Sequence, residues 1–130
     1  MSKQMPELER VFKALADATR LRILGLLVGG ELCVCHIHET LRIPQSKASR
    51  HLAYLRRAKL VETRRDRLWI YYRLSPPTDP VLGAIQQAVR HVLGHVEDVR
   101  RDAGRLQKRT GCCPPVQDDA PVLSCCAPVE

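Results

Sequence analysis

The hydrophobic period of this chain changes once, at Leu60, and that change limits the folds open to it. Before it, apolar residues recur at threes and fours, the spacing of one helix face. Leu8, Val11, Phe12, Leu15 and Ala16 mark a first helix. Leu21, Ile23, Leu24, Leu27 and Val28 mark a second, with Asp17 as its N-cap and Gly29-Gly30 as its end. A short third helix is expected over Val34 to Leu41. Pro44 opens a fourth, QSKASRHLAYLRRA, whose inward face is Ala48, Leu52 and Leu55. After Leu60, LVETRR and LWIYYRL hold β-branched and aromatic residues around a polar, basic turn, the pattern of a two-stranded hairpin. Ser75-Pro76-Pro77 closes it, and Asp79-Pro80 starts a long last helix. There Ile85, Val89, Val92, Val96, Val99, Ala103 and Leu106 alternate steps of four and three. That near-heptad seam favours a partner helix, and so a dimer, over a stripe facing the chain's own core.

The fold class expected is therefore mainly α with a β-hairpin, an α+β arrangement dimerising through terminal helices. A chain of 130 residues is about one domain. Aromatic residues are few, so Leu, Val, Ile and Ala should fill the core. From Thr110 onward there is no Lys or Arg, while four prolines and four cysteines appear. This divides the chain into a folded region over 1–106 and a flexible tail over 107–130. No apolar run approaches the roughly 18 residues that span a membrane, and the start, MSKQMPELERVF, has no secretory h-region. A cytoplasmic location is expected, with no membrane partner.

Charge points to a polyanion. Of the net charge of +7, the stretch from Arg42 to Arg73 alone carries +8, with ten Lys or Arg against Glu62 and Asp66. Three short helices followed by a basic hairpin is the layout of a winged helix-turn-helix. On the fourth helix Gln45, Ser46, Lys47, Ser49, Arg50 and His51 occupy the half that would reach base edges and phosphates. Arg64, Arg65 and Arg67 of the hairpin could lie over the backbone or minor groove.

The runs ALADATRLRILGLL, GELCVCHIHETL, PQSKASRHLAYLRRAKLV and RRDRLWIYYRL occur in that order over residues 8–75. They resemble the ArsR/SmtB family of metal-responsive winged-helix repressors. The resemblance implies a homodimer that binds double-stranded operator DNA without a cofactor and lets go when metal binds. It matches Arg50, His51 and their neighbours to the recognition helix, and Cys33 and Cys35 to the cysteines of the family's ELCVC motif. It suggests arsenite or antimonite as inducer, with cadmium and lead next; zinc is a further alternative. In two places the chain departs from the family: Lys59 and Arg67 stand where glycine is usual. If those backbones need positive φ, each costs about 1 kcal/mol.

Six cysteines in a reducing compartment favour metal or redox chemistry over structural disulfides. Thiolates select soft ions. Positions two apart on a regular helix point about 200° from each other. Cys33 and Cys35 can grip one ion only if Cys33 precedes the helix or the first turn unwinds. The second route would make ion binding distort the helix beside the recognition helix. Two thiols leave trivalent arsenic one ligand short. Cys112, Cys113, Cys125 and Cys126 are candidate further ligands; His38, on the Cys35 face, is a weaker one that suits zinc or cadmium better. His36 looks solvated. His91, His95 and Asp98 share a face of the last helix, but the upstream Asp-x-His of the family's zinc site is missing: Gly83, Ala84 and Ile85 stand there. A thiol redox regulator is the other reading. An enzyme is not expected, because HIHE lacks the distant acid and His ligands of H-x-H hydrolases and no Gly-rich phosphate loop follows.

If phosphates dominate binding, DNA affinity should fall steeply with salt. Six or more contacts predict a loss of about 10³-fold or greater between 50 and 200 mM. Equilibrium binding across that range checks this, and a flat response would refute it.

Overall fold

The computed structural model describes residues 4–108. Helices α1 (Met5–Leu15), α2 (Ala18–Leu27), α3 (Val34–Leu41) and α4 (Gln45–Arg57) come first, as the periodicity predicted. A two-residue strand β1 (Leu32–Cys33) precedes α3. Strands β2 (Val61–Asp66) and β3 (Trp69–Leu74) follow α4, then helices α5 (Pro80–Leu93) and α6 (Glu97–Lys108). No helix among the described residues is long and apolar enough to cross a membrane.

The caps are those the sequence implies. Asp17 accepts the Arg20 N–H at 3.0 Å and Asp79 accepts the Leu82 N–H at 2.8 Å, so each satisfies an orphan donor of its helix. At the other end of α4, Lys59 N–H bonds to the Arg56 carbonyl and Leu60 N–H to the Leu55 carbonyl, both at 3.0 Å. That paired closure requires a left-handed residue, and Lys59 supplies it with φ 64°. Arg67, at the tip of the β2–β3 hairpin, has φ 60°, and Arg42, after α3, has φ 59°. Both positions where glycine is usual in the family thus adopt the backbone that favours glycine.

The core is aliphatic. Ile23, Leu24 and Leu27 of α2 pack with Ile37 and Leu41 of α3 and with Ala48, Leu52 and Leu55 of α4. All three inward residues expected on α4 are fully buried.

Two expectations are corrected. The hairpin is part of a three-stranded antiparallel sheet ordered β1-β3-β2, in which Leu32 pairs with Tyr72 and Cys33 with Tyr71. And the last helix is not continuous. It breaks at Gly94–Val96, where His95 and Val96 N–H groups turn back to the carbonyls three residues earlier, Val92 and Leu93. Helix α6 then folds against α2. Val99 is buried there, and a Cβ on Gly25 would stand 2.5 Å from its Cγ1. One turn on, the fully buried Asp102 accepts two bonds from Arg22, from Nε and Nη2, each at 2.8 Å. A buried carboxylate is tolerated only with such pairing. The seam is therefore divided: Val99 finds its partner in its own chain, while Ile85 and Val89 stay on α5.

Gly25→Ala and Lys59→Gly should move the thermal midpoint in opposite directions. The first overpacks the α2–α6 contact and costs about 2 kcal/mol. The second relieves a left-handed side chain and gains roughly 0.5 kcal/mol net of unfolded-state entropy. Calorimetric melts of both variants test the pair.

Candidate metal centre and nucleic-acid interface

Cys33 is the last residue of β1 and the N-cap of α3, with extended backbone at φ −84° and ψ 162°. Cys35 lies in the first turn of the helix. Because Cys33 precedes the helix, the 200° divergence of regular i, i+2 positions does not apply, and the two cysteines lie together in one buried cluster. The first of the two geometric routes is the one the backbone takes. Neither thiol needs the helix to unwind, so the strain-coupling expectation loses its premise. Burial pushes the Cys33 thiol above its ordinary pKa, while N–H groups of Cys35 and His36 and the Cys35 side chain pull the other way.

The pair is roofed by the sheet. Cys33 and Cys35 form a buried cluster with Trp69 and Tyr71 of β3. Cys33, Tyr71 and Arg64 face one another across the three strands, one residue from each. The Arg64 guanidinium lies 4.9 Å from the Tyr71 ring centroid and forks onto Glu31, with bonds of 2.8 to 3.1 Å. Glu31 sits two residues before Cys33. A ring of four side chains thus ties the thiols to the hairpin.

The residues expected to contact DNA differ in exposure. Gln45, Ser46, Ser49 and Arg50 project from α4 and are exposed, Lys47 is half-buried, and Arg65 and Arg67 are exposed on the hairpin. His51 turns inward: its Nδ1 is 3.4 Å from Arg20 Nη1 and 3.8 Å from the Asp17 carboxylate. Burial lowers its pKa, with Arg20, Lys47 and Arg50 adding to the effect and Asp17 opposing it. Arg20 itself bonds the Ala14 and Lys13 carbonyls and stacks over Tyr54, clamping α1, α2 and α4. Arg64 is likewise engaged with Glu31. Of the anticipated contacts, Arg64 and His51 are thus engaged with partners inside the fold.

Among the described residues one group of three potential metal donors is brought together: Cys35, His38 and Glu39, with donor atoms all within 4.8 Å of one another. Glu39 escaped the sequence reading, although its i, i+4 spacing from Cys35 was there to be read. The His91 and His95 rings meet edge to face at 5.0 Å between centroids, and no third donor among the described residues joins them. Cys112, Cys113, Cys125 and Cys126 lie outside the described residues.

A helix presented beside a basic hairpin, on a three-helix support, defines a winged helix-turn-helix regulator, here with a thiol pair under the wing. Residues 17–63 match the model of the bacterial regulatory protein family arsR. The chain is 46% identical over 97 residues to the arsenic resistance transcriptional regulator ArsR1 of Pseudomonas putida, covering 74% of each chain. It is 52% identical over 68 residues to the arsenical resistance operon repressor of Escherichia coli, covering 52% of this chain and 58% of that one. Among solved structures, a homodimeric winged helix-turn-helix DNA-binding domain from Mycobacterium bovis superposes with a TM-score of 0.59 at 32% identity, covering 75% of this chain and 94% of that one. HlyU from Vibrio cholerae superposes with a TM-score of 0.58 at 34% identity, covering 71% and 97%. This chain belongs to the arsR family of DNA-binding transcriptional regulators.

Trp69 is the only tryptophan, and it is buried in one cluster with the two thiols. One equivalent of mercuric ion should therefore quench or shift its emission in wild type and leave a Cys33→Ser/Cys35→Ser double variant unchanged. Equal responses in the two proteins would place the reactive thiols elsewhere.

Proposed function

We propose that this protein is an arsenic-responsive repressor, a homodimer that holds operator DNA through α4 and the hairpin wing and releases it when trivalent arsenic or antimony engages Cys33 and Cys35. The observation that carries this reading is the buried pair of free thiols at the head of α3, clustered with Trp69 and Tyr71 of the wing strand. Two adjacent sulfurs suit a soft trivalent ion, which is a Lewis acid toward thiolates. The names of the relatives in Pseudomonas putida and Escherichia coli support the same inducer. The third coordination position falls to a tail thiol, one of Cys112, Cys113, Cys125 or Cys126, in this protomer or its partner.

The side chains give a route from the thiols to the DNA face. The thiols are buried in one cluster with Trp69 and Tyr71, so anything bound to them must make room among these rings. Close-packed interiors do not absorb an added atom without a shift. Both rings are on β3, hydrogen-bonded along its length to β2, so a shift of β3 carries the tip bearing Arg67 with it. The wing is thus the element through which occupancy lowers DNA affinity. Gln45, Ser46, Lys47, Ser49 and Arg50 read the major groove, and Arg65 and Arg67 hold phosphates.

The dimer reading is supported by an apolar groove of about 510 Å³ among α1, α2, α5 and α6, lined in part by Phe12, Leu15, Leu21, Ile85, Val89 and Val92. Phe12 and Val92 are 55% and 57% exposed there, a large apolar area for a chain on its own. Two copies related by a two-fold axis would bury it and set two recognition helices on half-sites one or more helical turns apart.

The test is release from a duplex selected by the protein in vitro, challenged with arsenite, antimonite, cadmium, lead and zinc. Wild type, Cys33→Ser, Cys35→Ser and a chain truncated after Arg109 are compared. Arsenite should release wild type, and each Ser variant should need at least about tenfold more, an effect of roughly 1.4 kcal/mol. Undiminished release from both Ser variants would move the site to the tail.

A further inference from the structure

Cys35 faces two ways. On one side is Cys33, its partner in the thiol pair. On the other is Glu39, whose Oε1 accepts the Cys35 thiol proton at 3.3 Å. Next to Glu39, one turn along from Cys35, is His38. All three project from the same side of α3, and their donor atoms lie within 4.8 Å of one another. Cys33 is not part of this group. We propose that Cys35, His38 and Glu39 form a second ion site, which takes a borderline divalent cation such as zinc or cobalt(II) and shares Cys35 with the thiol pair, so that the two sites cannot be filled together.

Three features of the residues argue for it. First, the donor chemistry is mixed: one sulfur, one imidazole nitrogen and one carboxylate oxygen. That set suits borderline divalent metals, whereas the soft trivalent metalloids favour thiolates alone. A thiolate and a carboxylate also supply two negative charges for a doubly charged ion. Second, the histidine is prepared. Its Nδ1 lies 3.2 Å from the Ile43 carbonyl, and a carbonyl can only accept, so Nδ1 carries the proton and Nε2 keeps the lone pair. The Ile43 N–H returns a 3.0 Å bond to the His38 carbonyl, and this double link holds the turn that orients the ring. A ligating histidine ordinarily has its other nitrogen fixed in this way. Third, the scale is close. Ligands of a tetrahedral zinc stand roughly 3.3–3.7 Å apart, so the present spacing contracts by about one ångström through rotamers of Glu39, which is exposed, and His38, which is half-buried. An incoming ion replaces the Cys35 thiol proton, which leaves to solvent, and water completes the fourth position.

The consequence is an exclusive choice at one sulfur. An ion on the His38–Glu39 side removes Cys35 from the pair and leaves Cys33 a lone thiol. A trivalent ion on the pair removes Cys35 from the divalent site. This competition rests on the arsenic reading above; the divalent site does not.

Cobalt(II) spectroscopy on the full chain tests both parts, in a background with Cys112, Cys113, Cys125 and Cys126 changed to Ser so that only two thiols remain. The parent should show a thiolate-to-cobalt charge-transfer band with the intense visible bands of four-coordinate cobalt, and zinc should bleach them. Cys33→Ser should keep the spectrum. Cys35→Ser should abolish it, and Glu39→Gln and His38→Gln should each weaken cobalt binding at least tenfold. Glu39→Gln replaces an exposed side chain, so its effect is not a folding defect. A spectrum lost in Cys33→Ser but unmoved by Glu39→Gln and His38→Gln would overturn the site, because cobalt would then sit on the dithiol. One equivalent of phenylarsine oxide, an arsenical that needs only two thiols, should displace the cobalt. If the cobalt signature holds but phenylarsine oxide leaves it unchanged, the shared-sulfur claim falls and the divalent site stands. If phenylarsine oxide displaces cobalt but arsenite fails to release DNA from the wild-type chain, the repressor reading falls while both site assignments stand.

Discussion

The pairing of a two-residue strand with the wing organises everything around the thiols. Leu32 and Cys33 make too short a strand to be stable alone, yet by hydrogen-bonding to Tyr72 and Tyr71 they bring the head of α3 onto the base of the hairpin. Side chains directly opposite across strands stand about 5 Å apart on one face, which is why Cys33, Tyr71 and Arg64 form a row. Glu31 closes the row through Arg64. Remove the pairing and Cys33 has no reason to be extended, the i, i+2 thiols would point apart, and the aromatic roof would have nothing to cover. One local ladder thus sets the geometry of the thiol pair and joins it to the wing.

Much of this was legible beforehand. The helices over α1 to α4, their aspartate caps and the buried face Ala48, Leu52, Leu55 follow from period and cap chemistry, which are local properties. The strand β1 was not legible, because two residues carry no period and their state is decided by a partner some forty residues away. The break at Gly94 was hidden for a different reason. A stripe recurring at threes and fours looks the same whether the apolar face meets another chain or folds back on its own. What distinguishes the cases is Gly25, small enough to admit Val99, and Arg22, placed to neutralise Asp102. Those residues lie some eighty positions from α6, beyond any local reading.

The site residues divide along the same line. Cys33 and Cys35 were recognisable from their chemistry and from the family motif. That they could act together without unwinding the helix depended on the backbone of Cys33. Arg64 and His51 look, as sequence, like further cations for phosphate. Their partners, Glu31 and the Asp17–Arg20 pair, come from distant parts of the chain and turn both inward. Glu39 was passed over as an ordinary exposed acid. Its significance appears only with the Cys35 thiol pointed at it and His38 beside it.

The three left-handed residues other than glycine among those described, Arg42, Lys59 and Arg67, have a consequence of their own. Each is a cation, each is exposed, and each lies in the segment bearing the excess positive charge. Glycine at all three would relax the backbone but take that segment from +8 to +5. A mobile cation near DNA contributes by displacing condensed counterions, at little geometric demand. The corners of this chain thus carry long cations where glycine would be the easier backbone, at places where a helix or hairpin turns and a side chain can sweep the most solvent.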